Sequence, residues 1–154
     1  VDLDCSIGGA SVEFLNCYDD ALRDQVIELY GSVGWSAYTA DTDALVRALK
    51  NSTYVFLCCL DSKIVGLIRG VSDDVSINYI QDILVHPEYQ RRGIGHALMK
   101  HCLEKYSHGG NSSLLTENTD QQICFYKSFG FRNPKELKRY RINSFIKMKH
   151  VDLE

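Results

Sequence analysis

No stretch of this 154-residue chain is apolar for the roughly 20 residues that a membrane-spanning helix needs, so a membrane protein is not expected. No charged segment followed by an apolar one opens the chain, so no secretory leader is read there. Metal-ligand spacing is missing as well: the six cysteines, at 5, 17, 58, 59, 102 and 124, form neither a CxxC pair nor a Cys/His cluster. No bound metal is therefore expected. Cys58 and Cys59 are neighbours on a strand-like run, which sends their side chains to opposite faces. The thiols read as reduced and mostly buried, as in a cytoplasmic protein. A basic stripe is lacking too. With a net charge of −3 and a pI near 5.9, a nucleic-acid partner is not expected. Residues 135–141 hold four basic groups and one acid, and read as a solvated turn. No internal repeat, low-complexity tract or long linker divides the chain, so a single domain over 1–154 is expected. The closing Leu153-Glu154 is set aside as a cloning remnant.

What remains is an ordinary globular composition, 45% hydrophobic and 24% charged. Ser11–Cys17 alternates weakly as a first strand. Asp19 or Asp20 can cap a helix carrying Leu22, Val26, Leu29 and Tyr30 at helical spacing. Gly31–Trp35 interrupts it as a loop, and a second helix starts near Asp41 with Leu45, Ala48 and Leu49 inward. Tyr54–Leu60, Ile64–Val71 and Val75–Val85 read as three strands joined by the turns Asp61–Lys63 and Ser72–Asp74, an antiparallel meander. After Pro87 and a polar loop, Gly93–Tyr106 is helical, with Ile94, Leu98, Met99, Cys102, Leu103 and Tyr106 on one stripe. His108–Ser112 reads as a loop. Ser113–Thr116 follows as a strand, Gln121–Phe129 as a helix ended by Gly130, and Phe145–Met148 as a last strand. The order predicts a mixed α/β fold.

The segment from Ile83 to Gly95 carries the chemistry. An apolar strand, Ile83-Leu84-Val85, runs through a Pro-containing loop into Gln90-Arg91-Arg92-Gly93-Ile94-Gly95-His96 and at once into a helix. A helix start leaves backbone N–H groups unpaired and its dipole favours an anion. Glycines let phosphate oxygens approach the backbone, and Arg91 and Arg92 add charge. The same pattern also serves plain helix–sheet packing. A P-loop is excluded because GxxxxGK[ST] is absent, and a dinucleotide fold is disfavoured by Leu98 where a third glycine belongs.

Gln90–Gly95 matches the Q/R-x-x-G-x-G/A signature of the GNAT superfamily of N-acetyltransferases, and Val85-His86-Pro87-Glu88-Tyr89 resembles its V-x-P-x-Y lead-in. Phe125-Tyr126-Lys127-Ser128-Phe129-Gly130-Phe131 resembles the second signature, FYxxxGF. The resemblance covers well over half the chain; residues 1–50 match in element order only. Tyr30–Trp35 looks like a feature of small bacterial-type members and of relatives of plant aralkylamine acetyltransferases.

The resemblance implies a central, mostly antiparallel sheet splayed between strands 4 and 5 and flanked by about four helices. It implies acetyl-coenzyme A as cofactor, with the pyrophosphate on Gln90–Gly95 and His96 and the pantetheine beside Ile83, Leu84 and Val85. Asn118 is a further pantetheine contact, although Thr119 competes for that place. Leu84 is the implied N–H for the oxyanion, near a strand bulge. Tyr126 matches the tyrosine that protonates the leaving thiolate. Asp82 is acidic, as in polyamine-acetylating relatives, and can serve as base or through water; it can equally pair with an arginine or fix a turn. Gln81 stands where some relatives carry Glu, and His86 more simply supports the loop. Trp35 and Tyr38, with Gln81, are the implied acceptor pocket, unless the tryptophan is a core anchor. A small-molecule primary amine is the expected acceptor, with protein or peptide acetylation and a non-catalytic acetyl-coenzyme A sensor as alternatives. Dimers are frequent among small members, and nothing in Phe145–His150 compels one.

Overall fold

Alternating apolar positions build one five-stranded sheet, ordered β1-β2-β3-β4-β5, in a computed structural model that describes residues 12–106, 108, 110–149 and 151. Strands β1 (Val12–Leu15), β2 (Tyr54–Leu60), β3 (Lys63–Ser72) and β4 (Ile77–Val85) are antiparallel, whereas β5 (Asn111–Leu114) runs parallel to β4. The β2–β3 turn needs two residues with positive φ to match strand twist, and Asp61 (49°) and Ser62 (65°) supply them. Between β3 and β4 the Asp73 carboxylate accepts from the N–H groups of Val75, Ser76 and Ile77. With the Ser76 hydroxyl, these donors hold its carboxyl well below the usual range. Those bonds keep Val75 and Ser76 in the turn, so β4 begins at Ile77, two residues later than the pattern suggests. The Asn111 N–H donates to Ser76 O at 2.9 Å, which starts β5 two residues earlier than expected.

Helices α1 (Arg23–Ser32) and α3 (Thr42–Asn51) cover one face, joined through a four-residue helix, α2 (Ser36–Thr39), that the pattern did not reveal. Asp19 caps a 3-10 turn leading into α1, and Asp41 caps α3 through the Ala44 N–H at 2.9 Å. Gly31 and Ser32 belong to α1, so its loop is shorter than expected. Val26, Leu29, Tyr30, Leu45 and Leu49 pack there on Val55, Leu57, Leu67 and Leu84. Each such side chain contributes roughly 1.5–3 kcal/mol. Helix α4 (Ile94–Tyr106) covers the other face, burying Ile94, Leu98, Met99 and Cys102 as expected, and His101 as well.

The chain divides after Leu115, and a second compact unit begins at Thr116. Thr119 caps α5 (Asp120–Ser128), which closes at Gly130, where the Phe131 N–H donates to Tyr126 O at 3.2 Å. A 3-10 turn at Pro134–Glu136 is tied back by Lys127 to Glu136 at 2.7 Å. The strand expected at Phe145–Met148 does not form: the segment joins no ladder, and Phe145 is 92% exposed. Alternation of Ile146 and Met148 with lysines is strand-like only when a neighbouring edge takes up the backbone groups. Cys5, Ser11, His150 and Leu153-Glu154 lie outside the described residues.

Candidate functional site

The register of β3 against β4 slips between Arg69 and Gly70: Arg69 faces Asp82 while Gly70 faces Ile80, leaving Gln81 as the extra residue of a β-bulge. A bulge reverses the alternation of faces. Asn78 Nδ2 reaches Cys102 Sγ of α4 at 3.9 Å, yet Leu84, six positions on, packs with Leu29 and Tyr30 of α1. Pairing of β4 with β5 also stops at Ile80, opposite Leu114. From Gln81 to Val85 the far edge of β4 therefore has no strand beside it among the described residues.

The bulge turns Asp82 toward α1 and α2. Asp82 is only 4% exposed and Arg69 only 7%. Arg69 Nε lies 2.5 Å from Asp82 Oδ2, which also accepts from the Tyr30 hydroxyl at 2.9 Å. Asp82 Oδ1 accepts from the Tyr38 hydroxyl at 2.8 Å. Arg69 further donates to Ser52 Oγ and to Tyr38 Oη, both at 3.3 Å. Burial pushes the Tyr30 phenol far above its ordinary range, and the Asp82 charge adds to the effect. Tyr38 is raised for the same two reasons, burial first. Both phenols thus stay protonated and donate to the carboxylate.

Around this cluster stand the three residues expected to form the acceptor pocket. Trp35 and Tyr38 lie 6.1 Å apart between ring centroids, with Tyr30 5.0 Å from Tyr38. The Gln81 amide donates to Tyr38 Oη at 3.2 Å from its exposed bulge position. Trp35, Tyr38 and Gln81, expected together, therefore lie with Asp82, expected apart from them as a base.

At the far end of β4, His86 Nδ1 accepts from the Glu88 N–H at 3.2 Å and caps a 3-10 turn at Pro87–Tyr89. His86 thus supports the loop. The Gln90 amide donates to Val85 O at 3.0 Å, so this side chain braces the strand end. Arg92 lies over the Tyr89 ring at 5.2 Å. Arg91 (φ 60°) and Gly93 (φ 86°) are both left-handed, and a Cβ on Gly93 would meet nothing within 4 Å. Gly93 is needed for its backbone conformation, not for packing. The Ala97 N–H donates one turn back, to Gly93 O at 2.9 Å. The N–H groups of Gly93, Ile94 and Gly95 precede it and have no carbonyl one turn back. With two exposed arginines beside them, they suit a diphosphate.

Tyr126 and Asn118 belong to the second unit. Tyr126 is buried on α5, with Phe125 and Phe131 edge-on at 5.2 and 6.0 Å; Asn118 is exposed just before α5. Arg69 was not singled out from the sequence, and Tyr30 was read there as a helix-stripe residue and as part of the Tyr30–Trp35 feature, not as a partner of Asp82. A lone arginine inside the apolar run Ile64–Val71 was the available signal, since a buried guanidinium must find a carboxylate.

The family model described as acetyltransferase (GNAT) domain matches residues 21–151. An uncharacterized N-acetyltransferase, ycf52, of Pyropia yezoensis is 26% identical over 136 residues, covering 82% of this chain and 77% of that protein. The chloroplastic GCN5-related N-acetyltransferase 2 of Arabidopsis thaliana is 35% identical over 81 residues, 51% of this chain and 31% of its own length. A solved GNAT-family acetyltransferase of Streptococcus pneumoniae superposes with a TM-score of 0.75 at 32% identity, over 90% of this chain and 98% of that one.

Proposed function

Since this chain belongs to the GNAT acetyltransferase family, the matched model spanning most of its length, we propose that it transfers the acetyl group of acetyl-coenzyme A to a primary amine on a small molecule. One observation carries the reading: the bulge at Gln81 and the end of β5 pairing coincide near Trp35 and Tyr38, on the strand that leads into the anion-ready helix start.

Acetyl-coenzyme A supplies a thioester carbonyl already activated toward an amine. The cradle fits its diphosphate: the N–H groups of Gly93, Ile94 and Gly95 donate, and Arg91 and Arg92 neutralise. His96, on the first turn of α4, is a further contact. The open β4 edge offers the outward backbone groups of Ile83 and Val85 to the pantetheine, and the Ile83 N–H, nearer the bulge, is assigned to the carbonyl oxygen. Leu84, expected to supply that N–H, turns it toward Leu67 of β3, in step with the His86 N–H, which donates to Val65 O at 2.8 Å. Two roles rest on the resemblance alone: Asn118, the asparagine that follows β5, would bind the pantetheine, and Tyr126, of the second signature, would hold a proton at its phenol oxygen for the sulfur. Trp35 and Tyr38 receive the body of the amine, and Gln81 orients it.

Asp82 has both oxygens engaged by Arg69, Tyr30 and Tyr38. We assign it to fixing Tyr38, with the ammonium proton leaving through water. A thiol-release assay with acetyl-coenzyme A and a panel of amines, with cofactor binding followed by calorimetry, tests the reading. Turnover of one amine class is expected. Cofactor binding without turnover of any amine or peptide would favour a sensor, and no binding would overturn the proposal.

A further inference from the structure

We infer that Arg69 sets the charge preference of the acceptor site: by cancelling the Asp82 carboxylate it makes the pocket select an amine with an uncharged body over one carrying a second ammonium. The inference deepens the proposed function and rests on the Trp35–Tyr38–Gln81 pocket being the acceptor site.

A carboxylate behind an aromatic pocket would ordinarily attract cations strongly, because a low-dielectric wall screens its field poorly. Here the carboxylate sits directly behind the Tyr38 hydroxyl, at 2.8 Å, and Tyr38, 6.1 Å from Trp35 between ring centroids, is one of the residues proposed to receive the amine. Its charge does not reach the pocket uncompensated. The Arg69 guanidinium contacts Asp82 Oδ2 through Nε and lies 5.6 Å from the Tyr38 ring centre, so both charges stand behind the same aromatic ring. The pair is neutral as a unit. The remaining contacts of the cluster come from uncharged groups, the Tyr30 and Ser52 hydroxyls and the Gln81 amide. What a ligand meets is therefore an uncharged aromatic surface with one amide. Such a surface holds an apolar amine by its rings and gives no reward to a distal ammonium, which must lose water to enter. Arg69 touches no ligand in this scheme; it acts through Asp82 and is a positioning residue.

The test compares 1-aminobutane with 1,4-diaminobutane, which share a chain and differ by one ammonium, and adds 2-phenylethylamine as the aromatic probe. The readout is the ratio of kcat/KM for the diamine to that for the monoamine. Arg69→Gln frees the carboxylate and is expected to raise this ratio about tenfold. Asp82→Asn frees the guanidinium and is expected to lower it by a similar factor. Arg69→Lys, and the double variant Arg69→Gln/Asp82→Asn, are expected to return it to the wild-type value. A merely structural role would change all three amines together and leave the ratio still. An unchanged ratio in variants that bind coenzyme A like the wild type overturns the inference. The Asp82→Asn arm decides alone if Arg69→Gln does not fold. The same ratio read as amine binding to the protein saturated with coenzyme A separates the two readings. Failure of all turnover then refutes acetyl transfer to these amines, while the binding ratio still scores Arg69.

Discussion

Gly66 of β3 and Ile94, the first residue of α4, approach so closely that a Cβ on Gly66 would lie 2.8 Å from Ile94 Cγ2 and 3.1 Å from Leu98 Cδ1. The contact seats the start of α4 on the sheet, and that start carries the proposed phosphate cradle. Gly66→Ala pushes against a flexible methyl and is expected to cost roughly 1–3 kcal/mol by overpacking. It should also weaken coenzyme A binding, because the helix start must lift. Urea unfolding and calorimetry check both; unchanged affinity in a destabilised variant would detach the packing from the cradle.

Arg91 and Gly93 share left-handed backbone but differ in what they add. Gly93→Ala introduces strain and nothing else, since a Cβ there is unobstructed. It is expected to cost about 1–2 kcal/mol of stability and to weaken coenzyme A binding. Arg91→Gly works in the opposite sense on stability. It relieves the strain, raising stability by up to about 1 kcal/mol, while its lost charge weakens binding. Stability and affinity moving in opposite directions would mark Arg91 as a residue kept for its charge, and unaltered affinity would remove it from the cradle.

The hairpin of β2 and β3 and the loop into α4 were legible because each is local: an apolar run, a polar turn, two glycines before a helix. The sequence also offered Trp35, Tyr38 and Gln81 as one group and Asp82 as another. What joins them is not local. The bulge at Gln81 depends on the register of β3 against β4, and register is a property of two strands. Without it Asp82 would face α4 with Asn78, and Arg69 would have no partner on its own face. The strand expected at Phe145–Met148 failed for a related reason. Its alternation was real, but a strand also needs an edge to pair with. The α2 helix was too short, at four residues, for periodicity to register.

Tyr126→Phe removes one hydroxyl from a buried ring. If the phenol proton serves the leaving sulfur, kcat should fall on the order of 10²-fold, with coenzyme A affinity held within about twofold. Steady-state kinetics and calorimetry on the same preparation separate the two. Full turnover would end the assignment, and a parallel loss of affinity would make Tyr126 a binding residue.

His101 is packed between Phe14 and Phe56, and its Nε2 lies 3.0 Å from Asn16 Oδ1. Burial first, then the Lys105 ammonium, lowers its pKa below the ordinary 6.5. The unfolded chain therefore takes up this proton before the folded one as pH falls. The contribution of the neutral ring is complete above about pH 6.5 and is lost as pH drops toward the folded value. Urea unfolding of the wild type should show stability falling from pH 7.5 to pH 5.0, and His101→Gln should show a smaller fall. Equal falls in the two proteins would mean that His101 does not titrate differently on folding.

Asp82→Asn separates a base from a brace. A base that takes the acceptor proton directly would set the limb of the pH–rate profile on which activity rises with pH, and its loss would abolish or displace that limb. In the structure the Asp82 oxygens already accept from Arg69, Tyr30 and Tyr38 and the residue is only 4% exposed, so no open path leads an amine to the carboxylate. The expected outcome is therefore a limb at the same pH, lower kcat/KM from a loosened Tyr38, and stability reduced by about 3–5 kcal/mol as Arg69 loses its buried partner. Tyr38→Phe gives the control, because it cuts the link to the pocket and leaves the ion pair whole. It should reproduce the loss in kcat/KM with a much smaller loss of stability. A displaced limb in Asp82→Asn, absent from Tyr38→Phe, would instead return the proton to the carboxylate and make Asp82 the base.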